Sequence, residues 1–140
     1  MEIDAETKIF LKNRFDHQTT LHHTLKPIQL RKERLEQLKK DNLSPPKVLE
    51  IKNLVIISRY NKNINLRFYF PDKINKKSKV PVILFFHGGG FVMGNLDTHD
   101  FTCRSICIES EMVVVAVDYS LSPEFKFPYA INEAKDVLQS

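Results

Sequence analysis

Residues 81–94 read PVILFFHGGGFVMG, an apolar run followed at once by a histidine and three consecutive glycines. The apolar run from Val82 to Phe86 is typical of a strand that is covered on both faces of a sheet. Consecutive glycines allow unusual backbone dihedral angles and leave no side chain to block a bound molecule. The segment therefore predicts a buried strand that ends in a loop whose backbone is accessible to a bound molecule.

All four glycines of the 140-residue chain lie in this segment, at positions 88, 89, 90 and 94. Their spacing matches neither the Gly-x-Gly-x-x-Gly fingerprint of dinucleotide-binding proteins nor a P-loop, which also requires Gly-Lys-Ser/Thr. Backbone N–H groups of such a loop can stabilise the negative charge of a tetrahedral intermediate. Because no glycine remains elsewhere, residues 1–140 contain no Gly-x-Ser-x-Gly nucleophile elbow. The alternative is a glycine-rich turn with no catalytic meaning.

Composition indicates one globular domain rather than a disordered chain, with 42% hydrophobic residues and ten phenylalanines. The net charge of +4 is spread among acids and asparagines, so we expect no nucleic-acid partner. Acids stand in Met1–Asp4 where a signal peptide needs bases, and no run approaches the roughly 18 apolar residues of a membrane span. The expected location is the cytoplasm, and no cofactor is expected.

The two cysteines, Cys103 and Cys107, are four residues apart in a predicted helix, where they share an apolar face with Ile106. This spacing favours core packing over a disulfide or a metal site. His17, His22 and His23 form a weaker candidate for metal binding, and an ordinary polar helix surface is the favoured interpretation. No metal site is therefore predicted.

The order of predicted elements is two helices, an antiparallel strand pair, and then strand, loop, helix, strand and helix. Helices are expected over Asp4–His17, Ile28–Lys40, Thr98–Ser110 and from Tyr129 onward. Strands are expected over Val48–Tyr60, Ile64–Phe70, Val82–Phe86 and Met112–Val117, with a hairpin turn at Asn61-Lys62-Asn63 and a lysine-rich loop over Asp72–Lys79. This alternation predicts an α/β fold whose sheet begins antiparallel and continues parallel.

Three further motifs extend the pattern beyond the glycine loop HGGGFVMG at 87–94. They are DTHD at 97–100, VDYSLSPE at 117–124 and FP at 127–128. Together they closely resemble the hormone-sensitive-lipase-like family of α/β-hydrolases, which includes bacterial acetyl esterases and carboxylesterases. The resemblance covers roughly residues 48–140 and implies the N-terminal half of a serine esterase that acts on short acyl esters.

The resemblance also implies roles for individual residues. Gly89 and Gly90 would supply the oxyanion-hole amides, Gly88 would shape the turn, and His87 would anchor the loop. Further residues would support the site structurally, namely His99, Asp100, Asp118, Tyr119, Pro123 and Glu124. Residues 1–46 resemble a helical cap over the acyl pocket, and residues 47–140 resemble the first half of the core.

Two positions depart from the family pattern. Ser120 and Ser122 stand where the family usually has arginine and alanine. Loss of the arginine is expected to remove a buried charge partner of Asp100 or Glu124.

The serine, acid and histidine of the family's catalytic triad follow the segment that these 140 residues match, so the chain is expected to be inactive alone. An arrangement of Ser120 or Ser122 with His87 or His99 is the remaining internal alternative. A non-catalytic module that binds small ligands, or a half-enzyme completed by a separate C-terminal part, are alternative functions. In the usual strand order of this fold Val82–Phe86 would be an exposed apolar edge open to self-association.

Overall fold

The structure, a computed structural model, describes residues 3–16, 25–41, 44–73 and 80–140. It contains four helices within these ranges, α1 (Ala5–Asp16), α2 (Pro27–Asp41), α3 (Asp100–Ser110) and α4 (Tyr129–Gln139). The four strands are β1 (Glu50–Ile57), β2 (Asn63–Phe70), β3 (Val82–Phe86) and β4 (Val113–Asp118). Each predicted helix and strand is present, which confirms the α/β class. No helix in the described ranges is long and apolar enough to cross a membrane.

The strands form one sheet in the order β1-β2-β4-β3. β1 pairs antiparallel with β2, and β2 pairs antiparallel with β4. β3 pairs parallel with β4, with Leu84 opposite Val115, and α3 makes the crossover between them. The predicted change from antiparallel to parallel pairing is confirmed. It places the carboxyl ends of β3 and β4 side by side, at the edge where the glycine segment begins.

The turn between β1 and β2 lies earlier than the sequence suggested. It is closed by hydrogen bonds from the Ser58 amide to the Lys62 carbonyl (2.8 Å) and from the Asn61 amide to the Ser58 carbonyl (2.9 Å). Asn63 already belongs to β2, paired with Ile57, so the predicted turn at 61–63 is wrong by about two residues. Asn61 adopts the left-handed conformation, with φ of 55°, that asparagine tolerates better than most residues.

The hydrophobic core lies on both faces of β4, whose residues Val113–Val117 are all buried. One face packs against buried side chains of β2 and α4, namely Ile64, Leu66 and Val137. The other packs against Tyr69, Cys103 and Cys107. β3 differs from the expectation of a strand covered on both faces, because Val82 is 54% and Phe86 38% exposed. Within the described residues β3 pairs with β4 alone, so it forms one edge of the sheet.

The two cysteines lie in the core, as predicted, on one face of α3 with Ile106 packed beside them. Burial raises the pKa of the Cys103 thiol to about 12, and it also raises the pKa of Cys107. We therefore expect both thiols to react with Ellman's reagent at pH 8 only slowly, and at the rate of free cysteine after urea is added. Fast labelling of the folded chain would contradict this placement.

Several sequence expectations concern residues outside the described ranges. They are the three histidines His17, His22 and His23, most of the lysine-rich loop, and part of the linker at 41–46. α3 begins at Asp100 rather than Thr98, because the Asn95 side chain accepts the amides of Asp97 (3.0 Å) and Thr98 (2.9 Å) in a separate turn. Asp4 caps α1 as predicted, since its carboxylate accepts the amide of Thr7 (2.8 Å).

Candidate functional site

The glycine segment makes a tight turn immediately after β3. The φ angles of Gly89, Gly90, Phe91 and Gly94 are all positive, at 126°, 61°, 59° and 98°. The Gly89 carbonyl accepts hydrogen bonds from the amides of Val92 (3.1 Å) and Met93 (2.9 Å). Gly90 and Phe91 therefore occupy the centre of a turn in which both central residues have positive φ, as in a type I′ turn.

Two glycines are required because of what surrounds them. A Cβ at Gly94 would lie 2.3 Å from Nδ1 of His87 and 2.7 Å from the Gly88 carbonyl oxygen. A Cβ at Gly89 would lie 2.2 Å from the Met93 carbonyl oxygen. A Cβ at Gly88 or Gly90 would meet nothing within 4 Å. Gly88 and Gly90 thus face open space, which is what a ligand-binding loop needs.

Side chains hold the first two carbonyls of the loop. The Tyr119 hydroxyl donates to the His87 carbonyl at 2.5 Å. Nδ1 of His87 lies 2.9 Å from the Gly88 carbonyl, and since a carbonyl only accepts, Nδ1 carries the proton. In a trans peptide the C=O and the following N–H point in opposite directions, so fixing these carbonyls fixes the amides of Gly88 and Gly89.

The third carbonyl, that of Gly89, is held by the two amides of the turn, and this orients the N–H of Gly90 in the same way. Within the described residues no acceptor takes the N–H of Gly89 or Gly90. Both glycines, with His87, Gly88 and Phe91, line a cavity of about 380 Å³. The remaining walls of the cavity are apolar or aromatic, contributed by Phe86, Tyr119, Ala130, Ile131 and Ala134. Hydrogen-bond donors thus border a largely apolar cavity.

The His87 ring is buried in an aromatic stack. Its centroid lies 4.3 Å from that of Tyr119 and 5.3 Å from that of His99, with interplanar angles of 17° and 25°. The His99 ring in turn lies 5.9 Å from Phe85 of β3. Nε2 of His87 is buried and has no partner within the described residues. The stack leaves the ring little freedom to move away from the Gly88 carbonyl.

We expect the stability of this stack to depend on pH. Burial lowers the pKa of His99, and the neighbouring His87 and Arg34 charges lower it further. The unfolded chain then binds more protons than the folded chain near the ordinary histidine pKa of about 6.5. The free energy of unfolding should therefore be constant above that pH and fall as the pH drops below it. Urea unfolding between pH 5 and 8 measures this, and His99→Gln should remove much of the slope.

Asp100 and Asp118 bond to residues outside the glycine segment. Asp100 accepts hydrogen bonds from Tyr69 (2.9 Å) and Arg104 (2.6 Å), and Arg67 lies 3.4 Å away. Asp118, at the end of β4, accepts one from Asn65 at 3.3 Å. These hydrogen bonds stabilise the sheet and α3, which lie on either side of the glycine segment in the chain.

Arg31 of α2 is a site residue that sequence reasoning missed. Its guanidinium binds both carboxylate oxygens of Glu124, at 2.9 and 2.8 Å. It also donates from Nε to the Val92 carbonyl and from Nη2 to the Ser122 carbonyl, both at 2.7 Å. The hydrogen bonds from Arg31 lower the pKa of the Glu124 carboxyl group. Arg31 looks in sequence like one of several exposed basic residues of α2, so nothing but the fold reveals these contacts.

The missing family arginine at position 120 has a different consequence from the one expected. Asp100 and Glu124 both have arginine partners, so neither is left unpaired in this chain. The buried carboxylate beside Ser120 is Glu133 of α4, which accepts the Ser120 amide (2.6 Å) and hydroxyl (2.7 Å). Nζ of Lys62 donates to the same hydroxyl at 2.6 Å. Glu133, Ser120 and Lys62 thus form one continuous hydrogen-bonded group at the end of β4.

The serine–histidine alternative is not what the structure contains. The Ser120 hydroxyl bonds Glu133 and Lys62, and the Ser122 hydroxyl donates to the Phe125 carbonyl at 3.2 Å. His87 and His99 bond to Gly88 and Thr98 instead. Neither imidazole is therefore hydrogen-bonded to either serine.

Residues 83–140 match a family model described as the alpha/beta hydrolase fold. Esterase LipI of Mycobacterium tuberculosis is 51% identical over 71 residues, which cover 51% of this chain and 22% of LipI. Carboxylesterase NlhH of the same organism is 33% identical over 110 residues, covering 76% of this chain and 33% of NlhH. The chain thus spans between a fifth and a third of the length of these relatives.

Solved structures show the same relationship. A hyperthermophilic esterase from the archaeon Pyrobaculum calidifontis superposes with a TM-score of 0.82 at 31% identity, covering 99% of this chain and 43% of that one. A thermostable carboxylesterase cloned from a metagenomic library gives a TM-score of 0.74 at 38% identity, covering 85% and 40%. With the mixed sheet and the glycine loop after β3, these matches establish that the chain belongs to the hormone-sensitive-lipase-like family of α/β-hydrolases.

Proposed function

We propose that the chain forms part of a carboxylic-ester hydrolase and that Gly89 and Gly90 donate the oxyanion-hole hydrogen bonds. The observation that carries this proposal is the pair of unpartnered N–H groups at the rim of an apolar cavity, each fixed by the carbonyl of its own peptide unit. Preorganised donors of this kind act most strongly where water is excluded.

In this mechanism a serine oxygen attacks the ester carbonyl carbon, and the carbonyl π electrons move onto the oxygen, which becomes negative. The amides of Gly89 and Gly90 stabilise that oxygen while the alcohol leaves and the acyl-enzyme forms. A water oxygen then attacks the carbonyl carbon of the acyl-enzyme, the serine oxygen leaves and takes up the proton that water gives up, and the acid is released. Removal of one such donor typically costs about 10²–10³ in kcat.

We further propose that the serine, its histidine and its acid come from outside residues 1–140, so that these residues alone do not hydrolyse esters. Gly88 would shape the turn, and His87 and Tyr119 would hold the loop. Residues 1–46 would form the cap segment and residues 47–140 the first half of the core. The cavity size and its apolar walls favour short acyl groups.

A fusion experiment tests this proposal. Residues 1–140 would be joined to the remaining C-terminal part of a related carboxylesterase and assayed with p-nitrophenyl acetate and a fluorophosphonate probe. We expect hydrolysis and labelling by the fusion, neither by residues 1–140 alone, and neither by a fusion whose Gly-x-Ser-x-Gly serine is alanine. Labelling of residues 1–140 alone would contradict the external nucleophile, and an inactive, well-folded fusion would contradict the esterase function.

A second candidate is a half-enzyme completed by a separate chain, or one that self-associates through β3. The observation that favours it is the exposure of Val82 and Phe86 on an edge strand with open backbone groups. Sedimentation of residues 1–140 with and without a separate C-terminal half distinguishes self-association from assembly. A monomer that does not bind the added C-terminal half and still binds a small carbonyl compound would favour the non-catalytic binding module.

A further inference from the structure

Arg31 connects the helical segment α2 to the back of the glycine loop through a continuous chain of peptide units. Its Nε–H donates to the Val92 carbonyl at 2.7 Å. The N–H of the same peptide unit, that of Met93, donates to the Gly89 carbonyl at 2.9 Å. The N–H of that second peptide unit belongs to Gly90, which lines the cavity. Two peptide groups therefore lie between the guanidinium and the Gly90 donor.

We propose that Arg31 is a positioning residue for the Gly90 amide, acting through these two peptide units. The proposal rests on the function proposed above, in which Gly90 binds the oxyanion. Hydrogen bonds in a chain polarise one another, and a cation at the far end strengthens each N–H along it. Arg31 both fixes the direction of the Gly90 N–H and makes it a better donor.

The guanidinium is itself held in one orientation. Both Glu124 oxygens and the Ser122 carbonyl take its Nη hydrogens, which leaves Nε–H directed at Val92. The Ser122 amide donates to the Phe91 carbonyl at 2.7 Å. Ser122 therefore supports the turn directly through its amide and also through Arg31, which its carbonyl helps to hold. A lysine has no planar fork and cannot bind the carboxylate and both carbonyls in this way.

The connection is selective, and this separates it from a general structural role. The Gly89 amide is fixed by a different path, through the Gly88 carbonyl and Nδ1 of His87. The Gly88 amide is fixed through the His87 carbonyl by Tyr119. Loss of Arg31 contacts should therefore alter Gly90 strongly and Gly88 and Gly89 weakly, whereas simple loosening of α2 would not select among them.

The chain offers a direct measurement, because all four of its glycines lie in this loop. Labelling with ¹⁵N-glycine gives a proton–nitrogen spectrum that contains the loop alone. We expect Arg31→Lys to move the Gly90 signal by more than a linewidth and to leave Gly88 and Gly89 nearly in place. The amide of Met93, followed in uniformly labelled protein, should exchange with solvent at least about tenfold faster. The reason is that the carbonyl of the same peptide unit, that of Val92, loses its hydrogen bond from the charged Arg31 side chain. Arg34→Lys on the same helix is the matched control.

A second variant covers the case in which Arg31→Lys rearranges the helix. In Arg31→Ala, added guanidinium ion should return the Gly90 signal toward its wild-type position, and tetramethylammonium at the same concentration should not. An unmoved Gly90 signal, equal movement of Gly88, Gly89 and Gly90, or absence of guanidinium rescue would each overturn the proposal. So would a wild-type spectrum without dispersed glycine signals. The spectra report loop geometry, and ester hydrolysis by the fusion reports the function, so the two proposals fail separately.

Discussion

Replacement of Gly94 by alanine is expected to disrupt the glycine loop and to destabilise the folded chain strongly. The new Cβ would lie 2.3 Å from Nδ1 of His87, and the Tyr119 and His99 rings stacked against the His87 ring restrict its movement. The left-handed φ of 98° adds a penalty of its own. We expect a loss of about 2–5 kcal/mol in the free energy of unfolding, from about 1–3 for overpacking and about 1–2 for the backbone.

Urea unfolding of Gly94→Ala, with Gly88→Ala as the control, measures this effect. A Cβ at position 88 meets nothing within 4 Å, and the φ of Gly88 lies outside the left-handed region, so its cost should stay below about 1 kcal/mol. Equal stability of the two variants would mean that the close approach of residue 94 to His87 does not hold the loop.

Replacement of Glu133 by alanine is the second change with a large expected effect. This side chain is 1% exposed and accepts both the amide and the hydroxyl of Ser120. Without it the Ser120 amide has lost its acceptor, and the half-buried Lys62 ammonium has lost the carboxylate to which the Ser120 hydroxyl connects it. Removing one partner from a buried charged network typically costs about 3–5 kcal/mol, and we expect a loss of that size.

Thermal or urea unfolding of Glu133→Ala is compared with Glu109→Ala, which removes an exposed glutamate from α3 and should change stability by less than about 0.5 kcal/mol. The double variant Glu133→Ala/Lys62→Met should be more stable than the sum of the two single losses predicts, because it removes both charges together. Strict additivity would show that Lys62 and Glu133 do not interact through Ser120.

Sequence patterns predicted most of the fold because the spacing of apolar residues changes close to the positions where helices and strands begin and end. Alternating and continuous apolar runs marked all four strands, and the boundaries of β2 and β3 fall within one residue of prediction. The hairpin turn was misplaced because Asn61 and Asn63 have the same local preferences, and only the pairing of Asn63 with Ile57 decides between them. The position of β3 at an exposed edge was predicted from the usual strand order of the resembled fold, whereas the apolar run alone predicted a fully covered strand, because composition does not indicate what lies beside a strand.

The candidate site was only partly predictable. The glycines and His87 were found because they form a continuous motif. Arg31 and Glu133 were missed because their partners lie far away along the chain, and an arginine or glutamate on a helix is ordinarily exposed. Ser120 was noted as a departure from the family, but its partner Glu133 could be identified only once α4 was packed against the end of β4.

The contacts of Arg31 also have a consequence for the order in which the molecule folds. They join residues that are 61, 91 and 93 positions apart in the chain. Contacts between such distant residues form late, because closing the intervening loop costs entropy before any contact repays it. During synthesis α2 emerges early, yet it can dock only after residues near 124 have left the ribosome. The contacts of Arg31 with Val92, Ser122 and Glu124 should therefore form in the last stage of folding, after the sheet has formed.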